Sequence, residues 1–198
     1  MNKKSEITAK EIIKQIALNQ NEKFVFDENN KKIYHDLLYY FTGNVGDLDL
    51  KKGIYLYGSF GLGKTTAFLI MREFVNMIKP FNQNSFMITS VEGIMEHYKA
   101  ERNLIHFGKN IIDGRDKTKH LLINEFGKDA KETYFGTSFN EIINSLIMTR
   151  YEVFQEHNKV THITSNYAPN QLKVDNAVND RLHEMFNFVK IGGVSRRK

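Results

Sequence analysis

One eight-residue stretch limits what this chain can fold into more than any other feature of the sequence. It lies between a short apolar run, residues 54–57, and a segment with helical spacing of apolar side chains, residues 66–78. Its residues are Gly58, Ser59, Phe60, Gly61, Leu62, Gly63, Lys64 and Thr65. They fit G-x-x-x-x-G-K-[ST], in which glycines let several backbone N–H groups face one point and a helix N-terminus favours negative charge. Strand, loop and helix together predict a phosphate-binding site.

The side chains of this loop have separate predicted roles. Lys64 is expected to reach the β- and γ-phosphates of a nucleotide, and the Thr65 hydroxyl to ligate Mg²⁺. Thr66, at the start of the helix, belongs to the same predicted site. ATP and Mg²⁺ are therefore the predicted cofactors. The alternative is a chance glycine loop, and the flanking strand and helix argue against it.

The rest of the chain reads as one α/β domain with a short appendage. Strand-like apolar runs alternate with helical patterns, which predicts a parallel sheet with helices on both faces. The predicted strands are 54–57, 85–89, 121–125, 160–164 and 188–191, and the predicted helices of this part are 66–78, 91–102, 137–156 and 176–186. We expect a division into a helical arm, residues 1–50, and a nucleotide domain, residues 51–198. The arm either braces the core or docks a partner.

Composition restricts the class of protein. No apolar run approaches the roughly 20 residues of a membrane span, no signal-peptide block follows the start, and the chain has no cysteine. We therefore expect a cytoplasmic protein with no membrane partner and no thiolate metal site. The net charge of +5 permits a nucleic-acid partner without requiring one.

Polar residues follow two of the predicted strands. Asn124 and Glu125 end one strand, and Asn166 follows another. Ligands of open α/β sheets bind at the carboxyl ends of the strands, so these side chains are expected near the phosphates. Glu125 is the candidate base that orients or deprotonates an attacking water, and Asn124 is a candidate Mg²⁺ ligand. The alternatives are a buried strand that runs into a turn and, for Asn166, an ordinary turn residue.

A charged stretch, residues 103–119, interrupts the alternating pattern. A solvated loop is the simpler interpretation. The functional interpretation is an element that contacts a nucleic-acid backbone. Its candidate DNA-binding residues are Lys109, Arg115, Lys117 and Lys119.

Five short motifs occur in order along residues 50–197. They are GSFGLGKT at 58–65, LLINEFG at 121–127, ITSN at 163–166, NDRL at 179–182 and GVSRR at 193–197. This ordered set resembles the DnaC/IstB-like branch of AAA+ ATPases, the bacterial and phage helicase loaders and transposition helper ATPases. The resemblance implies a P-loop NTPase core of the AAA+ type, with a parallel five-stranded sheet flanked by helices, a short N-terminal helical arm and no C-terminal lid domain.

The resemblance also implies roles for single residues. Asn166 falls on the sensor-1 position that reads the γ-phosphate. Arg181 falls on the arginine finger, which acts on ATP bound by a neighbouring subunit of a homo-oligomer. The alternative for Arg181 is a surface salt bridge on a helix. Arg197, with Arg196 as the alternative, falls on a sensor-2-like element. Asn124 departs from the family's usual Asp, which implies weaker Mg²⁺ binding and a slow ATPase.

Four hypotheses follow. The first is a loader that binds Mg-ATP, self-assembles and delivers a replicative DnaB-like DNA helicase onto single-stranded DNA in replication initiation. By the same resemblance, residues 91–119 host a helical insertion that meets the DNA. The second is an IstB-like transposition helper ATPase that acts on duplex DNA. The third is a small-molecule P-loop kinase, and the fourth is a DNA-binding module in which ATP is only structural.

Overall fold

The structure is a computed structural model that describes residues 3–78, 85–127, 133–134 and 137–196. The helices are α1 (Lys3–Gln20), α2 (Lys31–Phe41), α3 (Lys64–Ile78), α4 (Val91–Glu101), α5 (Phe139–His157) and α6 (Asn176–Met185), with a 3₁₀ turn at Pro169–Gln171. The strands are β1 (Gly53–Tyr57), β2 (Phe86–Ser90), β3 (Ile111–Ile112), β4 (Arg115–Asp116), β5 (His120–Phe126), β6 (Thr133–Tyr134), β7 (Thr137–Ser138), β8 (Thr161–Ser165) and β9 (Phe186–Lys190).

The chain divides into two compact units. The first unit joins residues Met1–Leu50, Ser59–Ser85 and Ile191–Lys198, and the second joins Lys51–Gly58 and Phe86–Lys190. The sheet therefore belongs to the second unit, and the phosphate loop with α3 belongs to the first. The functional division at residue 50 that the sequence suggests stays a prediction.

A five-stranded sheet forms the centre of the second unit. Its order is β2-β5-β8-β1-β9, and every neighbouring pair is parallel. The central strands β1, β5 and β8 are buried, as expected for a parallel sheet that is covered on both sides. β1 and β5 contain apolar runs, whereas β8 buries polar side chains, among them Thr161, His162 and Thr164. The carboxyl ends of β5, β8 and β1 consequently lie side by side at one edge of this sheet. This confirms the predicted α/β fold with a parallel five-stranded sheet.

Three helices pack on one face of the sheet. The core there combines alternate strand residues, such as Tyr55, Ile123 and Ile163, with apolar residues of α4, α5 and α6. Ser90 and Ser138 cap α4 and α5, each by accepting a hydrogen bond from a backbone N–H of the first helical turn. These caps fix where the helices begin after strands β2 and β7.

The first unit is built from three helices, with α1 and α2 packed against α3. Apolar side chains of all three are buried, including Ile16, Leu37 and Phe68. Burial of such side chains stabilises a fold by about 1.5–3 kcal/mol each. The two helices of the N-terminal arm are therefore part of one core with the helix that follows the phosphate loop.

The described residues of the charged stretch differ from the predicted helical insertion. After α4 ends at Glu101, the chain forms the antiparallel hairpin β3-β4. Asp113 and Gly114 make its turn, both with positive φ, and an Asp-Gly pair between short strands is a strong hairpin signal. Among the described helices, none is long and apolar enough to cross a membrane.

Candidate nucleotide site

The phosphate loop connects the carboxyl end of β1 directly to the amino end of α3. Gly61 and Gly63 have φ of +75° and +82°, a left-handed backbone that side chains other than glycine rarely adopt. The carbonyl of Gly63 accepts the first helical hydrogen bond, from the N–H of Ala67 at 2.9 Å. The helix therefore begins directly after the loop, and its amino end carries the partial positive charge of a helix N-terminus, as an anion site requires.

Lys64 and Thr65 stand at the first turn of this helix. The Lys64 side chain is largely buried, and its ammonium donates to the carbonyl oxygen of Ser59 at 2.8 Å. The cation therefore lies within its own loop, close to the backbone that a phosphate would approach. A left-handed glycine loop, a buried lysine and a helix N-terminus together fit a nucleotide phosphate.

In the second unit, the end of β5 has an unusual backbone. Glu125 has φ of +58°, and the pairing of β5 with β8 shifts register between Ile123 and Phe126. A left-handed backbone costs a non-glycine residue about 1–3 kcal/mol, and at a strand end it needs surrounding contacts to hold it. The bulge therefore directs the Glu125 backbone away from a regular strand.

A buried hydroxyl holds this bulge in place. The N–H of Glu125 donates to Thr164 Oγ1 at 3.2 Å, and the Thr164 hydroxyl donates to Asn124 Oδ1 at 2.7 Å. Thr164 is 1% exposed. Asn124 and Glu125, which the sequence places at the site, are thus joined by a third residue that sequence reasoning missed.

The neighbouring strand end is also tied to its surroundings. The Ser165 hydroxyl donates to the carbonyl of Phe126 at 2.6 Å, and the carbonyl of Ser165 accepts the N–H of Gly58 at 3.2 Å. Asn166 follows β8 directly and is partly buried. The structure therefore brings Asn124, Glu125 and Asn166 to the same edge of the sheet, at adjacent strand ends.

Arg181 lies on α6, five residues before β9 begins. Its Nη1 donates to Glu184 Oε1 at 2.8 Å, and its guanidinium stacks over the Tyr151 ring at 4.5 Å. The Tyr151 hydroxyl donates to the other oxygen of Glu184 at 2.7 Å. The arginine is held in a fixed orientation, with 36% of its side chain exposed. A role in a neighbouring subunit stays a prediction.

The candidate DNA-binding residues share one surface segment. Arg115, Lys117 and Lys119 are exposed, and Lys109 is exposed but donates to Glu156 Oε2 at 2.6 Å. That hydrogen bond raises the pKa of Lys109. The charge of Lys109 is therefore partly neutralised by Glu156.

The buried Arg150 fixes the base of this segment. Its guanidinium donates to the carbonyls of Phe107 and Lys119, at 3.3 and 3.1 Å, and its Nε donates to Thr161 Oγ1 at 2.8 Å. Carbonyls of Lys159 and Val160 accept two further bonds. Burial lowers the pKa of Arg150 to about 10, so the side chain stays charged at neutral pH.

The sensor-2-like segment is described only in part. Arg197 lies outside the described residues. The Arg196 guanidinium forms an ion pair with Asp27 through both carboxylate oxygens, at 2.8 and 2.9 Å. In this structure Arg196 is therefore engaged by the arm. No local sequence signal connects residues 27 and 196.

Solved structures share this fold. A candidate primosome component of Streptococcus pyogenes serotype M3 is 18% identical with a TM-score of 0.62, and the match covers 88% of this chain and 85% of that one. A DnaC helicase loader is 16% identical with a TM-score of 0.60, over 87% of this chain and 95% of the loader. A replication initiator DnaA bound to AMPPCP and single-stranded DNA is 18% identical with a TM-score of 0.56, over 87% of this chain and 49% of the initiator.

These likenesses are likenesses of fold. They agree with the α/β fold and its parallel five-stranded sheet. No protein-family model matches the sequence, and no curated protein matches it.

Proposed function

We propose that this protein is an ATP-dependent loader that delivers a replicative DnaB-like helicase onto single-stranded DNA. The observation that carries the proposal is the left-handed glycine loop at 58–65, which leads into a helix N-terminus beside a buried lysine. The shared fold with a DnaC helicase loader supports the choice of partner. Copies of the chain are proposed to associate, so that Arg181 of one completes the site of another.

Each residue of the proposed site has its own role in ATP hydrolysis. When bound, Mg-ATP would supply the transferable phosphoryl group, and the metal would neutralise part of its negative charge. Lys64 holds the phosphates and Thr65 the cation, while Glu125 orients or deprotonates the attacking water. Asn166 donates toward the γ-phosphate, and the permanently charged Arg181 stabilises developing charge in a neighbouring site.

Nucleotide binding is tested with Lys64→Ala and a fluorescent ATP analogue. We expect the wild type to bind in the micromolar range typical of nucleotide enzymes, and the variant to lose most of that affinity. Arg72→Ala, on the same helix as Lys64, is the matched control and should bind as wild type does. Equal binding by Lys64→Ala and wild type would contradict the proposal.

We propose that ATP hydrolysis is slow and that it changes the state of the loader. The Asn124 amide is a neutral ligand for Mg²⁺, weaker than a carboxylate, and its Oδ1 already accepts the Thr164 hydroxyl. The expected turnover lies well below the ordinary enzyme median of about 10 s⁻¹. Asn124→Asp should raise hydrolysis if weak metal binding is the limit. A wild-type rate on the order of tens per second would contradict this interpretation.

A groove on the arm supports a helicase contact there. Its volume is about 610 Å³. The residues that line it are Ile13, Phe26, Tyr34, Lys10, Lys14, Lys31, Lys32, Glu28 and His35. We propose that an acidic segment of the helicase, with apolar side chains on one face, occupies this groove. Lys10, Lys31 and Lys32 already pair with Glu6, Glu28 and Asp36 of the same chain. The charge of Lys14 and the apolar floor beside it complement such a segment.

Lys14→Glu tests the groove without removing the arm, whose helices belong to the core around α3. The expected result is weaker capture of purified DnaB-like helicase, by about tenfold, with an unchanged unfolding midpoint. Lys4→Glu is the control, because Lys4 is exposed on the same helix but does not line the groove. Equal helicase binding by Lys14→Glu and wild type would contradict the proposal that the helicase binds in this groove.

The exposed cations of the hairpin are proposed to contact the DNA backbone. Replacing Arg115 and Lys117 together by Ala should weaken single-stranded DNA binding and reduce its salt dependence, because fewer counterions are released. Lys23→Ala, an exposed change on the arm, is the control. Tighter binding to duplex than to single strands would select the transposition-helper alternative.

A further inference from the structure

The last described residues of the chain lie against the phosphate loop. The N–H of Arg196 donates to the carbonyl oxygen of Gly61 at 2.9 Å. A Cβ added at Gly61 would lie 2.2 Å from Ser195 Oγ, closer than real atoms approach. The loop and the C-terminal segment are therefore in direct contact, with room only for glycine at position 61.

The side chain of the same arginine connects this segment to the arm. Besides its two bonds to the Asp27 carboxylate, the guanidinium donates to the carbonyl of Val25 at 3.2 Å. The Asp27 carboxylate also accepts the N–H groups of Asn29 and Asn30. Burial would raise the pKa of Asp27, but the guanidinium and these N–H groups outweigh it and lower the pKa. The carboxylate is thus fixed by the turn before α2.

The geometry points to Asp27 and Arg196 as positioning residues of the phosphate loop. The peptide between Gly61 and Leu62 is planar and trans, so its C=O and N–H point in opposite directions. When Arg196 holds the Gly61 carbonyl on one side, the Leu62 N–H points to the other side. Loops of this motif direct such N–H groups at a phosphate. Asp27 fixes Arg196, and so acts on the nucleotide through it.

This inference rests on the proposed function, since it assigns a role to residues around the proposed ATP site. It also links the arm to that site. If the helicase docks on the arm and changes the turn that carries Asp27, it changes ATP affinity. By linkage, ATP then changes helicase affinity by the same factor.

The test compares Asp27→Asn and Arg196→Lys with the wild type. Asn keeps the size of Asp27 but loses its charge, and Lys keeps the charge of Arg196 but loses the two-point contact. Each variant should raise the Kd for a fluorescent ATP analogue and the KM for ATP by about tenfold, with kcat at saturating ATP within about twofold. The double variant should lose no more than either single variant, because both break the same link.

Asp47→Asn is the matched control. Asp47 forms an ion pair with Lys32 at 2.7 Å in the same unit, and its loss should leave ATP affinity unchanged. A purely structural role of Asp27 would lower the unfolding midpoint without changing the Kd of the folded protein. Wild-type Kd in both test variants, with Lys64→Ala unable to bind, overturns the inference and leaves the proposed function standing. Absence of ATP binding by the wild type overturns both.

Discussion

Removal of the Thr164 hydroxyl should slow hydrolysis without affecting ATP binding. In Thr164→Val the shape is kept, but the Glu125 N–H and Asn124 Oδ1 both lose their bonds to Oγ1. An unsatisfied buried polar group costs about 1–3 kcal/mol. The Glu125 backbone, at φ of +58°, also loses the acceptor that holds it in a left-handed conformation. The carboxylate proposed as the base would then leave its position.

We therefore expect kcat to fall about 10- to 100-fold, which corresponds to roughly 1.4–2.7 kcal/mol of transition-state stabilisation. The KM for ATP should change by less than about twofold, because Thr164 belongs to the strand end and not to the phosphate loop. Steady-state phosphate release measures both constants. Urea unfolding should show a loss of about 2 kcal/mol.

Thr164→Ser is the control, since it keeps a hydroxyl and should retain hydrolysis within about threefold of wild type. Glu125→Gln should abolish most turnover. If Thr164→Val hydrolyses ATP as wild type does while Glu125→Gln is inactive, the hydrogen-bond chain does not position the base. The reasoning from the bulge is then refuted.

Three further predictions concern the loop and the stability of the sheet. Gly61→Ala should weaken binding of a fluorescent ATP analogue by at least about tenfold, because φ of +75° is strained for Ala and the added Cβ would collide with Ser195. Wild-type affinity in this variant would contradict the prediction. Arg150→Met should lower the free energy of unfolding in urea by about 3–5 kcal/mol, since five carbonyl and hydroxyl acceptors lose their donor. A loss below about 1 kcal/mol would contradict this prediction. Acidification should destabilise the fold. Burial lowers the pKa of His120 to about 4 and the pKa of His162 to about 3. As the pH falls through 6.5, these histidines take up protons in the unfolded chain but not in the folded chain. Between pH 7.5 and 5.5 we expect urea unfolding to lose about 3 kcal/mol, and equal or greater stability at pH 5.5 would refute this origin.

The features that the sequence predicts best are those with local signals. The apolar runs at residues 54–57 and 121–123 are too short for helices and lie between turn residues, so they predict buried strands. Ser90 precedes the apolar periodic segment predicted as a helix, and it caps α4. The parallel direction of the strands follows from the alternation of strands and helices along the sequence.

The features that the sequence does not reveal depend on contacts between distant residues. Asp27 and Arg196 are separated by 169 positions, and neither is unusual among its neighbours. Thr164 reads as an ordinary strand residue, and only the bulge opposite gives its hydroxyl a role. The hairpin at 111–116 is different, because the Asp113-Gly114 pair is a turn signal that was present in the sequence.

The most direct test of the account is the ATPase rate per subunit as a function of protein concentration, with and without single-stranded DNA. The wild type should become faster per subunit as concentration rises or DNA is added, because each site needs Arg181 from a neighbour. Arg181→Ala should lose this activity by about 10³-fold or more while still binding ATP, as loss of an arginine finger does elsewhere. Arg72→Ala should behave as wild type. A rate independent of concentration, DNA and Arg181 would mean a self-contained site and would contradict a loader that works as an assembly.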